Sequence, residues 1–141
     1  MGGSLNINEA SKFLEGFMAE MCSWEKDFLE EKLCLIGEGG STLECNDKYT
    51  KMLLAIFDRF VDGDSTTKAR LGLVGASSPV TYDPQRDQIL EPRQVKGRAV
   101  IEVNQVGGLE SRFRFTLVNG QGWKIARKDT LRGDKWEKSS L

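Results

Sequence analysis

The repeat length of the apolar residues changes once along the chain, and this change does most to limit what it can fold into. Up to about residue 62 apolar side chains recur at three- and four-residue steps, and from residue 68 onward they tend to alternate. The first pattern puts a stripe on one side of a helix; the second puts it on one face of a strand. Helices followed by consecutive strands, with no further helical segment between them, predict an α+β fold: N-terminal helices packed on a curved antiparallel β-sheet.

Residues 6–33 read as helix, with Ala10, Phe13, Leu14, Phe17, Met18, Met21, Trp24 and Phe28 on one stripe and Glu9, Lys12, Glu20, Ser23 and Asp27 on the wet side. Asn6 with Glu9 three residues on resembles a capping-box start. Ser23 is a candidate break, which would give two helices near 7–22 and 24–33. Residues 37–47 form a Gly-rich connection, and Asn46 or Asp47 is expected to cap a second helix over about 47–62. Its stripe is Tyr49, Met52, Leu53, Ile56, Phe57 and Phe60. The triplet Asp62-Gly63-Asp64 lacks the remaining ligands of a calcium loop and reads as helix termination.

The second half predicts a short strand over 69–74, an interruption at Ser77-Ser78-Pro79, a polar turn over 82–87 and three longer strands at 95–105, 111–118 and 122–129. Val106-Gly107-Gly108 and Asn119-Gly120-Gln121-Gly122 supply the hairpin turns between the three. One face of this meander is apolar, with Phe113, Phe115, Leu117, Trp123 and Ile125. The other carries Lys96, Arg98, Arg112, Arg114, Lys124 and Lys128. The tail, 131–141, is polar and expected to fray, with Trp136 as a candidate anchor. The 141 residues are read as one domain with a core over about 6–130.

Composition narrows the chemistry. There is no histidine, so Ser-His-Asp and Cys-His nucleophilic sites are excluded, and the three cysteines Cys22, Cys34 and Cys45 have no zinc-knuckle spacing. No metal or cofactor is expected. Residues 37–47 lack the Gly-Lys-Ser/Thr ending of a phosphate loop. Residues 1–5 lack the basic start and apolar stretch of a secretory signal, and Asn6 stands where a myristoylation motif places Ser or Thr. The expectation is therefore a cytoplasmic protein that neither enters nor sits on a membrane. The net charge of −1 conceals an uneven division: residues 1–64 hold 13 acidic and 6 basic side chains, residues 65–141 hold 8 acidic and 14 basic. An acidic helical half is suited to a basic partner. Nucleic-acid binding is disfavoured, because the strand aromatics are expected to alternate away from the basic face.

The last strand carries Gly122-Trp123-Lys124-Ile125-Ala126-Arg127-Lys128. With the order of elements, this ending resembles the nuclear transport factor two-like superfamily, an α+β cone with a pocket between helices and sheet, over residues 6–130. Within it the chain is most similar to bacterial polymorphic-toxin immunity proteins. That resemblance implies binding to one cognate toxin domain, such as the C-terminal domain of a Rhs-like or other secreted effector, and blocking of its active site or substrate access. The candidate contact residues are Glu30, Glu31, Glu38, Glu44, Asp47, Asp58, Asp62 and Asp64, with the loop 38–47 foremost. Two other uses stay open. The superfamily also hosts ketosteroid isomerase and polyketide cyclase types, for which Asp58, Tyr49 and Tyr82 are the candidate acid–base groups. A dimerisation or scaffold module would use the basic sheet face.

Overall fold

A computed structural model describes residues 7–62, 82–106, 111–120 and 122–139. Two helices, α1 (Ile7–Gly37) and α2 (Leu43–Phe60), cover one face of an open antiparallel sheet. Its strands are β1 (Gln88–Ile89), β2 (Arg93–Val95), β3 (Arg98–Asn104), β4 (Arg112–Asn119), β5 (Trp123–Arg132) and β6 (Lys135–Ser139). The order is β1-β3-β4-β5-β6, with β2 beside the other half of β3. The expected α+β architecture of helices on an antiparallel sheet is present.

α1 is one helix of 31 residues, about 46 Å long, and does not break at Ser23. Ser23 is exposed, while Met21, Cys22, Trp24 and Glu25 around it are buried. Tertiary packing on both sides outweighs the small helix penalty of one serine. The helix also outlasts its expected end at residue 33. It closes where Gly39 takes φ 76° and the Gly40 amide donates to the Leu35 carbonyl at 2.8 Å. The connection is thus only residues 38–42, and α2 starts at Leu43 rather than 47. Thr42 occupies the cap position without a side-chain hydrogen bond, so neither Asn46 nor Asp47 caps the helix.

The core lies between the helices and the sheet. Leu14, Phe17, Met18 and Phe28 of α1, Leu53 of α2, and Ala99, Ile101, Val103, Phe115, Leu117 and Ile125 of the sheet are all fully buried. The two helices lie antiparallel: Phe13 and Phe17 meet Phe60, while Phe28 stacks on Tyr49 with ring centroids 4.8 Å apart.

The expected strand 95–105 is in fact two. Lys96 and Gly97 take φ 51° and 77° and form a two-residue turn between β2 and β3, with Val95 opposite Arg98. Alternation ran through this turn because Val95 and Gly97 both fell on the apolar parity. β4 matches its expected range closely. β5 runs three residues beyond its expected end, and the tail is not frayed: Gly133 and Asp134 turn it into β6, which pairs Trp136 with Leu131. The strand expected over 69–74, the interruption at 77–79 and Asp64 lie outside the described residues.

Pairing of β4 with β5 shifts by one residue between Thr116 and Leu117: Thr116 faces Arg127, but Leu117 faces Ile125. Ala126 is the extra residue of a bulge, and such an insertion exchanges the two faces of the strand beyond it. Lys128 therefore does not join the outer basic face. It pairs with Phe115 on the inner side and is only 5% exposed.

Candidate interaction surface

α1 and α2 form a helical hairpin whose closed end carries most of the predicted contact residues. Glu30, Glu38, Glu44 and Asp47 are exposed there. Glu31 is half-buried and serves as a hub: Lys48 Nζ donates to its two oxygens at 3.2 and 3.5 Å, and Cys45 Sγ donates at 3.5 Å. The Lys48 hydrogen bond holds the Glu31 carboxyl below its usual range. Asp47 pairs with Lys51 one turn on at 3.3 Å. Beside Glu38, 3.6 Å away, the Cys34 thiol is pushed up by that carboxylate's charge.

Asp58 and Asp62 are also exposed but are not part of this group. They sit at the far end of α2, about 21 Å from Glu44 along the helix. The predicted set is thus split between the two ends of one helix. The far end is fixed to the sheet. The Asp62 amide donates to the Ile125 carbonyl at 2.9 Å, Val61 bridges Ile125, and Lys124 Nζ donates to the carbonyls of Asp58 and Arg59 at 3.1 and 2.5 Å. Lys124, expected on the outer basic face, instead satisfies the last carbonyls of α2.

Sequence reasoning missed the apolar part of the hairpin end. Leu33, Ile36 and Leu43 are 58%, 55% and 76% exposed, among five carboxylates and a single lysine over residues 30–47. Apolar side chains inside a charged rim are what protein interfaces present. The signal was there: large aliphatic residues stood beyond the expected end of the first helix and within a link read as Gly-rich.

Also unforeseen is a groove of about 430 Å³ between the helices, lined by Ala19, Glu20, Ser23, Trp24 and Asp27 of α1 and Met52, Ala55, Ile56 and Arg59 of α2. Small residues at 19, 23 and 55 open it. Arg59 pairs with Glu20 at one end.

The three acid–base candidates are not brought together. Asp58 is on the exterior. Tyr49 packs on Trp24 and Phe28, whereas Tyr82 packs on Phe17, Phe113 and Phe115. Phe17 and Phe28 are about 16 Å apart along α1. Burial first, then the Glu31 carboxylate, pushes the Tyr49 phenol up to about 12. The inner face is nonetheless less greasy than the strand pattern implied: Glu25, Lys128 and Tyr82 are all buried in the fold. Among the described residues no group of His, Cys, Asp and Glu is placed to hold a metal ion, and no helix is long and apolar enough to cross a membrane.

The outer sheet face is largely self-paired. Asp129, 2% exposed, takes Arg127 at 2.8 Å and Arg114 at 3.5 Å, and the Arg114 guanidinium lies 4.5 Å from the centre of the Trp136 ring. Arg112 donates to Asn104 at 2.7 Å.

A helical hairpin laid on an open antiparallel sheet, with exposed carboxylates and aliphatic side chains at its closed end, defines an α+β fold of two layers. The family model described as NTF2 fold immunity protein matches residues 9–140, and the chain belongs to that family. Comparison with curated proteins gives no match, nor does comparison with solved structures.

Proposed function

We propose that this protein binds a cognate bacterial toxin domain in the cytoplasm and neutralises it by covering its active site or substrate path, acting by association and not by catalysis. Family membership over residues 9–140 carries this reading. The closed end of the helical hairpin is the contact surface: Leu33, Ile36 and Leu43 supply apolar anchors, and Glu30, Glu38, Glu44 and Asp47 steer a basic site toward them. A toxin that acts on an anionic substrate carries such a basic site, and these carboxylates occupy it in place of the substrate. A standard interface of about 1,600 Å² in total needs only a few anchors of this kind.

The test is co-expression with the toxin domain encoded beside this protein's gene, for instance the C-terminus of a Rhs-like effector. Protection of the cells, with a complex of one-to-one stoichiometry on size exclusion, is the expected result. Toxicity undiminished by the protein, together with no complex, overturns it.

A further inference from the structure

We propose that the groove between α1 and α2 receives an arginine side chain of the toxin. The inference rests on the proposed function and names the partner's chemistry at a second place on the helical layer. Trp24, Met52 and Ile56 give the groove an apolar lining, and Met52 is 40% exposed in it. At one end of the groove Arg59 lies in its wall and pairs with Glu20. Asp27 lies two helical turns from Glu20 on the same side of α1, about 10 Å away. It lines the groove, is exposed, and has no cationic partner among the described residues.

The two ends thus have the same carboxylate chemistry, but only one has its cation. An arginine fits the Asp27 end better than a lysine. Its guanidinium is weakly hydrated and planar and can grip a carboxylate with two parallel hydrogen bonds. Its methylene stem covers Met52 and Ile56.

Two probes separate charge from grease: acetyl-arginine amide and acetyl-norleucine amide, titrated into the full chain and followed by ¹H–¹⁵N NMR. The arginine probe is expected to move the Trp24 indole signal and the amides of Ser23, Asp27 and Ala55 at about 1–10 mM, a range normal for a fragment this small. It should bind at least about fivefold more tightly than the norleucine probe. Asp27→Asn should erase that preference, and Ala55→Phe, which fills the groove, should erase the shifts. Both positions are exposed, so the fold is retained. Equal binding of the two probes, no shifts at these sites, or the same response at Glu44 and Asp47 overturns the proposal.

The purified toxin domain then separates this proposal from the one beneath it. Binding weakened at least about tenfold by either variant supports the groove assignment. Unchanged binding by both variants, with the wild type still protecting cells, sinks the groove and leaves the proposed function standing. A wild type that neither binds nor protects sinks both.

Discussion

Lys128 Nζ donates a 2.8 Å hydrogen bond to the Tyr82 hydroxyl and lies 4.2 Å from the centre of the Phe113 ring. The bulge at Ala126 puts it there, on the inner face of β5 opposite Phe115. A buried ammonium is tolerated when an acceptor and aromatic faces replace its water. Tyr82→Phe removes one acceptor and should cost about 1–3 kcal/mol in urea unfolding. Lys128→Met, which keeps the stem and removes the charge, should cost less than Lys128→Ala, because the alanine also leaves a void.

Asp87 ties the turn at 82–87 to the end of β3. Its fully buried carboxylate accepts from Arg86 Nε at 2.7 Å, from the Asp83 amide at 3.1 Å and from the Val106 amide at 3.3 Å. Asp87→Ala strands two backbone amides and removes the carboxylate beside the Arg86 guanidinium, so a loss of about 3 kcal/mol is expected in thermal and urea unfolding. Asp134→Ala, in the exposed β5–β6 turn, should stay within about 0.5 kcal/mol and serves as the control.

Tyr49 predicts an alkaline limit on stability. Its folded value, about 12, stands above the ordinary 10 because burial and Glu31 disfavour the phenolate. The contribution is fully present below pH 10. It is lost as pH rises from 10 toward 12, since only the unfolded chain ionises readily in that window. Tyrosine absorbance should show one phenol titrating near pH 12, and Tyr49→Phe should flatten the fall of stability between pH 10 and 12.

The Lys96-Gly97 turn offers a stabilising change. Lys96 is an L-residue with side chain held at φ 51°, a conformation that asparagine adopts more readily. Lys96→Asn should raise unfolding free energy by about 0.4–1 kcal/mol, with no change in toxin binding.

At the hairpin end, Leu43→Ala and the double change Glu44→Lys with Asp47→Lys test different parts of the proposed contact. The first should speed dissociation and weaken binding by about tenfold or more, as an anchor does. The second should chiefly slow association and reduce its salt dependence. Leu43 is exposed, and its change should leave folding stability within about 0.5 kcal/mol, while the double change, which breaks the Asp47–Lys51 pair and puts cations at the amino end of α2, should cost about 1–2 kcal/mol without unfolding the chain.

The helices, the meander and the apolar faces of β3 and β4 were legible because each is a long run of one period. The places that were not legible share a cause: a single residue interrupts or fails to interrupt the period, and only packing decides which. Ser23 resembled a break and was not one, because buried neighbours hold the helix on either side. Gly97 resembled a strand residue and was a turn. Ala126 gave no sign of a bulge, so Lys128 was placed on the wrong face. Cross-strand register is a relation between two strands, and neither strand's pattern encodes it alone. In the candidate surface the carboxylates are visible as charges, and their division between the two ends of α2 follows already from a helix over 47–62. Ile36 and Leu43 fall outside the expected helices, whose boundaries were misplaced, whereas Leu33 ends the first of them and only its exposure is new.

The clamp of Lys124 and the Val61–Ile125 bridge on the carboxyl end of α2 lies about 21–27 Å from Leu43 and Glu44. One end of the hairpin is a foundation and the other a removable tip. Under the proposed contact, a lineage facing a changed toxin can rewrite the tip codon by codon while the foundation goes on specifying the same scaffold.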